Sequence, residues 1–315
     1  MISSIELAKL CGVSQGTVDR ALHDRPGVSP ATKARVLEAA NEYGYIAHPA
    51  MQELLSGQTS LVGGIVPAVN SPFFMDLMQA AAIHCADAGL RLLITPVKSE
   101  SDFRGALKEF AARRFRGALV VPPRDNIALP EVGSVRVASF IAPSEGVNVR
   151  SFLPDEVDIG AKATQYLVEH GHRRIAHLTY ARKSLPIIDR ATGYRNTMRV
   201  QGLHERVIVD DGGKELADVV TSVKPTAILC HNDWLALDVI RRLGTLGYRV
   251  PDDISVMGVD DSPTFKALYP GITTMRYPMD EVASDAVQWI ITGSQATSSY
   301  RSDVVEGGTV CSPTP

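Results

Sequence analysis

Asp260 and Asp261 follow the apolar run Ile254–Gly258, and Asn232 and Asp233 follow Ala227–Cys230. Asn70, Phe73 and Phe74 come after Leu61–Val66. Carboxylates and amides in such places accept hydrogen bonds from neighbouring hydroxyls, and Arg190 adds a forked donor. The phenylalanines offer flat apolar faces on which the C–H face of a sugar ring can stack. Asp155, after Leu153-Pro154, is a further candidate acceptor. Trp234 suits a pocket wall or a core position equally, and Phe74 could also be core. Asp233 could simply cap the helix that follows it, and Asp261 is in the same situation. This is the chemistry of a binder. Ser184 and the scattered acids show no nucleophile–base spacing. His170, His172 and His177 straddle a helix end and a strand, a poor spacing for a metal. Asp210-Asp211-Gly212-Gly213-Lys214 lacks the Walker pattern. No metal, cofactor or catalytic role is expected.

A second chemistry lies in the first thirty residues. Ser14 can cap a helix from Gln15 to about Leu22. Gln15 and Gly16 open that helix, with Thr17 and Arg20 close behind. A glutamine at an exposed helix start can pair bidentately with adenine, and Arg20 can reach a phosphate or a base edge. Gly16 offers no side chain, which throws part of the readout onto Gln15 and Arg20.

The elements that must position these groups follow from local signals. Ser3 and Glu6 fit a capping box before Ile5, Leu7, Ala8, Leu10 and Cys11. Gly12 breaks that helix, and Ala8, Gly12 and Val18 occupy the three constrained places of a helix-turn-helix: a small residue where the helices cross, a turn at positive φ, and a shared core position. Ser29-Pro30 opens a third helix that carries Ala34, Val36, Leu37 and Ala40 inward and ends near Gly44. Ser29 is also a candidate phosphate contact. On spacing alone a generic three-helix bundle remains open.

Charge and composition narrow the partners. The net charge of the 315 residues is -3, so any contact with nucleic acid must be local. Residues 1–60 hold five basic and six acidic side chains, but residues 1–35 hold the same five against three, a local +2. The N-terminus has no basic-then-apolar leader, and no stretch approaches about 18 uninterrupted apolar residues, so a cytoplasmic protein without a membrane span is expected. Cys11, Cys85, Cys230 and Cys311 form no CxxC pair and read as reduced thiols.

Beyond residue 60 the pattern changes. Leu61–Val66, Leu90–Ile94, Ala118–Val121, Val135–Phe140, Ile175–Leu178, Ala227–Cys230 and Ile254–Gly258 read as buried parallel strands. Phe73–Ala88, Phe103–Arg113, Ile159–His170 and Leu235–Leu243 read as helices between them. This is a doubly wound α/β signature, and about eleven strands exceed one sheet, which predicts two similar lobes with a cleft. Between the two regions, Pro49 to Gly57 suits a very short helix, too short to be stable alone.

The first region resembles the headpiece of the lac repressor (LacI/GalR) family throughout: Glu6-Leu7-Ala8, Gly12-Val13-Ser14, Thr17-Val18-Asp19-Arg20, Val28-Ser29, Thr32, Val36 and Tyr43-Gly44-Tyr45-Ile46. Asp19 departs from it, standing where serine is usual, and is expected to face Arg20 or Arg25. The later region resembles the family's effector domain, itself similar to periplasmic sugar-binding proteins, at Asn70-Ser71-Pro72-Phe73-Phe74, Gly171-His172-Arg173-Arg174-Ile175-Ala176, Arg190-Ala191-Thr192-Gly193-Tyr194, Asn232-Asp233 and Val250–Ser262.

The resemblance implies a helix-turn-helix headpiece at 1–46, a hinge helix or linker at 47–60, and a periplasmic-binding-protein-like sensor at 61–315. The sensor's two doubly wound parallel-sheet lobes are expected at about 61–156 plus 284–315 and about 157–283. It implies a homodimeric repressor on a roughly palindromic operator, under allosteric control by a sugar or sugar derivative. A sugar-binding protein of transport type is the alternative, but it would carry a signal peptide and no headpiece. The DNA contacts implied are Ser14, Gln15, Gly16, Thr17, Arg20 and Ser29, with Met51 and Leu54 in the hinge. Leu54 matches the leucine that wedges into the minor groove, while His48 and Met51-Gln52 depart from the usual hinge. The effector contacts implied are Asn70, Phe73, Phe74, Asp155, Arg190, Asn232, Trp234 and Asp260.

Overall fold

The computed structural model describes residues 2–45, 59–67, 71–210, 212, 214–294 and 299–313. The chain divides into two compact units, Met1–Thr59 and Ser60–Pro315. The hinge residues Met51 and Leu54, and Asn70, lie outside the described residues.

In the first unit three helices, α1 (Ser4–Leu10), α2 (Gln15–Leu22) and α3 (Pro30–Glu42), enclose a small core of Leu7, Ala8, Cys11, Val18, Ala21, Val36 and Ala40. The starts of all three are held by serine. The Ser3 N–H donates to Glu6 Oε2 at 2.7 Å while Ser3 Oγ accepts from the Glu6 N–H, a complete capping box. Ser14 and Ser29 accept from the N–H groups of Thr17 and Thr32. Gly12 turns the chain between α1 and α2 at φ +63°. Two core expectations are corrected: Ala34 and Leu37 of α3 face outward, Leu37 being 43% exposed. Helical residues advance about 100° each, so with Val36 and Ala40 inward, Leu37 is carried off the buried stripe.

The second unit begins with β1 (Leu61–Pro67), α4 (Pro72–Asp87), β2 (Arg91–Val97), α5 (Glu100–Ala112), β3 (Gly117–Val120), β4 (Ile127–Ala128), β5 (Arg136–Phe140), β6 (Ser144–Glu145) and β7 (Val149–Phe152). It continues through α6 (Glu156–Glu169), β8 (Ile175–Thr179), α7 (Leu185–Val200), β9 (Val207–Val209), α8 (Lys214–Ser222), β10 (Ala227–Cys230) and α9 (Asp233–Thr245). It ends with β11 (Ser255–Asp260), α10 (Pro263–Leu268), β12 (Thr273–Arg276), α11 (Met279–Thr292) and β13 (Val304–Val305).

Two main sheets result. The first has the order β2-β1-β3-β5-β7 and is parallel throughout. The second has the order β13-β12-β11-β10-β8-β9, parallel except at β13. The inner strands β1, β3, β5, β8, β10 and β11 are covered on both faces, which is why they are largely apolar runs, while the edge strand β2 is partly exposed. Leu77, Met78 and Ala81 of α4 and Val282, Ala286 and Ile290 of α11 cover one face of the first sheet; Phe103, Leu107 and Phe110 of α5 cover the other. In the second lobe α6 and α7 oppose α8 and α9 in the same way.

The lobe boundaries need one correction. Helix α11, from Met279, does join the first lobe, but the tail after it returns to the second. There β13 pairs antiparallel with β12, the Thr273 N–H donates to Thr309 Oγ1 at 2.9 Å, and Ser255 Oγ donates to the Cys311 carbonyl at 3.2 Å. The physical reason is the open edge of β12, whose backbone donors and acceptors need partners that α11 cannot supply.

Candidate functional site

In open α/β sheets ligands collect beyond the carboxyl ends of the strands. Here those ends from both lobes face a cleft of about 460 Å³. Phe73, Phe74, Arg190, Asn232, Trp234 and Asp260 all line it. Asp155 does not. It is exposed and caps α6, accepting from the Asp158 N–H at 2.9 Å, while its neighbour Glu156 takes the place in the cleft.

Glu156 reaches the cleft because α6 and α7 touch backbone to backbone. A Cβ on Gly160 would fall 2.1 Å from the Arg190 carbonyl oxygen, and one on Gly193 would fall 2.1 Å from that of Val157. Only glycine tolerates such an approach. It brings Arg190 of α7 onto Glu156 of α6: Arg190 Nε and Nη2 donate to Glu156 Oε2 at 2.9 and 2.5 Å, and Nη1 donates to the His231 carbonyl. Both side chains are buried. Burial pushes the Glu156 carboxyl up, and Arg190 pulls it back.

Asp260 closes β11 at φ +135°, a backbone region that carries strain in any residue but glycine. Burial, and then the nearby Asp233 charge, hold its carboxyl well above the usual range. Asn232 is the residue that caps α9: its Oδ1 accepts from the Leu235 N–H and from Tyr180 Oη, both at 3.0 Å. Asp233 is buried instead, accepting from Thr274 Oγ1 at 2.6 Å and the Asp261 N–H at 2.9 Å. Asp261 pairs with Lys266 and Arg276 at 2.7 and 2.9 Å. Neither of these two lines the cleft.

The aromatic walls divide in two. Phe73 is 9% exposed and packs edge-on against Tyr277 (5.0 Å) and Phe74 (5.9 Å). Trp234 is 53% exposed, 5.9 Å from Phe265, which excludes the core position. Contacts join the lobes on either side of these walls. Arg182 donates to the Pro123 carbonyl at 3.1 Å and the Leu185 N–H to Asp125 Oδ2 at 2.7 Å. Elsewhere Asp76 of α4 accepts from Ser262 Oγ and, at 2.9 Å, from Thr264 Oγ1. Tyr277, His231 and Glu156 were missed in the sequence reading. His231 alone had a local signal, since it stands between a strand end and Asn232.

The N-terminal unit presents a different face. Ser14, Gln15, Gly16 and Arg20 are exposed, and Thr17 is half-buried. Gln15 Nε2 donates to Ser4 Oγ at 2.8 Å, fastening the start of α2 to the start of α1. Ser29 is occupied as the cap of α3. Asp19 pairs with Arg25 at 3.1 Å and Asp24 with Lys33 at 2.6 Å. Lys9, Arg20 and Arg35 have no ion pair among the described residues.

Comparison with known proteins joins the two units in one kind of molecule. Residues 5–48 match the model of bacterial regulatory proteins of the lacI family, and residues 164–310 match a periplasmic binding protein-like domain. The chain carries a lacI-family DNA-binding domain followed by a periplasmic binding protein-like domain. Among curated relatives, the ribose operon repressor of Escherichia coli (strain K12) is 29% identical over 310 residues, covering 92% of both chains. The regulator CelR of Thermobifida fusca is 26% identical over 306 residues, 90% of this chain and 89% of the other. The lacI-family architecture is also that of solved neighbours: a lac repressor dimer bound to operator and the anti-inducer ONPF superimposes with a TM-score of 0.79 over 98% of this chain and 99% of that one, at 21% identity, a likeness of fold. Like its lacI-family relatives the chain is a transcription regulator. Among the described residues no group of His, Cys, Asp or Glu is placed to hold a metal, and no helix is long and apolar enough to cross a membrane.

Proposed function

We propose that this protein is a repressor whose hold on operator DNA is set by a carbohydrate bound in the cleft between its lobes. The observation that carries the reading is the combination in one cleft of an aromatic wall, Phe73, Phe74 and Trp234, with buried polar groups, Arg190 and Asp260. Apolar walls with a few fixed polar groups are what small polar ligands require. The name ribose operon repressor and a solved complex of a CelR regulator with cellobiose agree with a sugar.

On this reading two chains pair along their sensor lobes, in the cytoplasm, and place two headpieces on a roughly two-fold operator. Gln15, Gly16, Thr17 and Arg20 face the major groove, Ser14 and Ser29 steady the phosphate backbone, and Met51 and Leu54 serve the hinge. The effector acts through the relative placement of the two lobes. Coupling is reciprocal, so DNA and effector change each other's affinity by one factor.

The test is direct. An operator is selected from random duplex DNA with the purified full chain, and its affinity is measured by fluorescence anisotropy with and without a panel of sugars. A two-fold site whose affinity shifts with one sugar supports the reading. Selection of no common site, or an affinity that no sugar moves, overturns it.

A further inference from the structure

Most of the charge in the cleft is already spent. The three N–H groups of Arg190 that point to partners are taken by Glu156 and the His231 carbonyl. Arg124 is paired with Glu100 at 2.9 Å, and Asp125 accepts from the Leu185 N–H. The Asn232 carbonyl is doubly occupied. Arg182, exposed at the mouth, has no carboxylate partner among the described residues, but there water and salt screen it.

Three buried polar atoms of lining residues are left over. Asp260 Oδ2, Tyr277 Oη and His231 Nδ1 have no hydrogen-bond partner among the described residues, in side chains that are 5%, 3% and 9% exposed. Buried polar groups without partners are costly and uncommon, and three in one cleft mark where a ligand supplies the missing bonds. Burial also holds the His231 ring well below its usual pKa, so it meets the ligand uncharged.

We propose that Asp260 Oδ2, Tyr277 Oη and His231 Nδ1 are the hydroxyl-reading atoms of the cleft and that they select an uncharged carbohydrate over its phosphorylated or carboxylated forms. The proposal rests on the effector reading above and deepens it. None of the three atoms carries a positive charge, so they complete hydrogen bonds to hydroxyls but do not offset the charge of an anionic oxygen brought out of water. Among the described residues lining the cleft, Arg190 and Arg124 are paired with Glu156 and Glu100, and Arg182 stands at the screened mouth. Tyr277 Oη and neutral His231 can each complete one further hydroxyl contact, and Phe73, edge-on to Tyr277, supplies the apolar face beside them.

Titration calorimetry on the full chain tests this with neutral pentoses, hexoses and disaccharides, each beside its terminal phosphate and its uronate. A neutral sugar is expected to bind, and its anionic counterparts at least roughly tenfold more weakly. Tyr277→Phe and His231→Phe should each weaken that sugar roughly tenfold while the ligand-free melting temperature stays level or rises, since each removes an unsatisfied buried group. Tighter binding of a phosphate or uronate that Trp234→Ala abolishes overturns the charge assignment and leaves the cleft as the effector site. Full affinity in both variants overturns the three-atom assignment. A sugar whose binding ignores Trp234→Ala and Asp260→Asn as well lies elsewhere and overturns both readings. A panel in which no neutral sugar binds also overturns the proposal.

Discussion

Glu156 and Arg190 form a buried ion pair across two helices whose backbones are in contact, with Arg190 Nη2 2.5 Å from Glu156 Oε2. Their side chains are 10% and 4% exposed. The pair holds Arg190 in place and sets a carboxyl group against its charge. Breaking one half of a buried pair leaves the other charge stranded, so Glu156→Gln should destabilise the fold by about 3 kcal/mol. Chemical denaturation measures this, and a change under about 0.5 kcal/mol, the range of ordinary surface substitutions, would show that the pair is open to water.

The helix contact that makes the pair possible gives a second expectation. A Cβ at Gly160 meets a backbone oxygen, which cannot rotate away. Gly160→Ala should cost about 1–3 kcal/mol through overpacking. Gly105 is the comparison: it sits exposed within α5 with nothing near its missing Cβ. Gly105→Ala should stabilise by about 0.5–1 kcal/mol, because alanine has less backbone freedom to lose. Equal effects at the two positions, read from thermal melts, would mean that α6 and α7 stand further apart than described.

Much of this was legible in the sequence. The caps Ser3, Ser14 and Ser29 act within four residues, so local spacing is enough to read them. The parallel strands are legible because burial on both faces leaves almost no polar residue in them. Asp155 and Glu156 show where legibility stops. They are adjacent carboxylates at one helix start, and what separates cap from cleft residue is an arginine on another helix, Arg190. Tyr277 is a cleft residue only because the turn after β12 brings it beside Phe73. The tail was misplaced because β13 is two residues long and carries no period.

Asp233 makes stability depend on pH. Burial raises its carboxyl from 3.8 to about 6. Between those values the folded chain holds a proton that the unfolded chain releases, so this group's contribution is greatest below pH 4 and falls as pH rises to about 6. The span corresponds to about 3 kcal/mol. Asp233→Asn keeps an acceptor for the Asp261 N–H and a donor for Thr274, and should remove that fall. Paired denaturation curves from pH 4 to pH 7 check it. The Asn variant should gain on the parent as pH rises, and a constant gap would refute the shift.

Asp76 tests the coupling between lobes. It accepts from Ser262 and Thr264 across the lobes without lining the cleft. If the ligand binds the lobes as they stand here, Asp76→Ala should weaken effector binding roughly tenfold by lowering the population of that arrangement. No ligand contact is removed, so the loss is conformational. Calorimetry with the identified sugar gives the affinity, and small-angle scattering should show a more open sensor. Unchanged affinity with unchanged scattering would show that the Asp76 contacts do not hold the lobes together.

Gln15 carries the sharpest expectation for DNA. It stands exposed at the first position of α2, and its amide is fastened to Ser4 Oγ at 2.8 Å. An amide that already uses one donor still has its oxygen and a second N–H for the two groups that adenine shows in the major groove. The Ser4 contact therefore aims Gln15 without exhausting it. Gln15→Ala should relax base preference at one position in each half-site, at about 1–3 kcal/mol per lost bidentate contact. Arg20→Ala should act differently: if its exposed guanidinium meets phosphate, affinity falls for all sequences alike and the salt dependence becomes shallower. Ser4→Ala should blur the Gln15 preference more weakly than Gln15→Ala, because it frees the amide without removing it. Randomised-site selection with the three variants separates these outcomes, and a Gln15→Ala protein that returns the parent's consensus unchanged would remove Gln15 from the reading face.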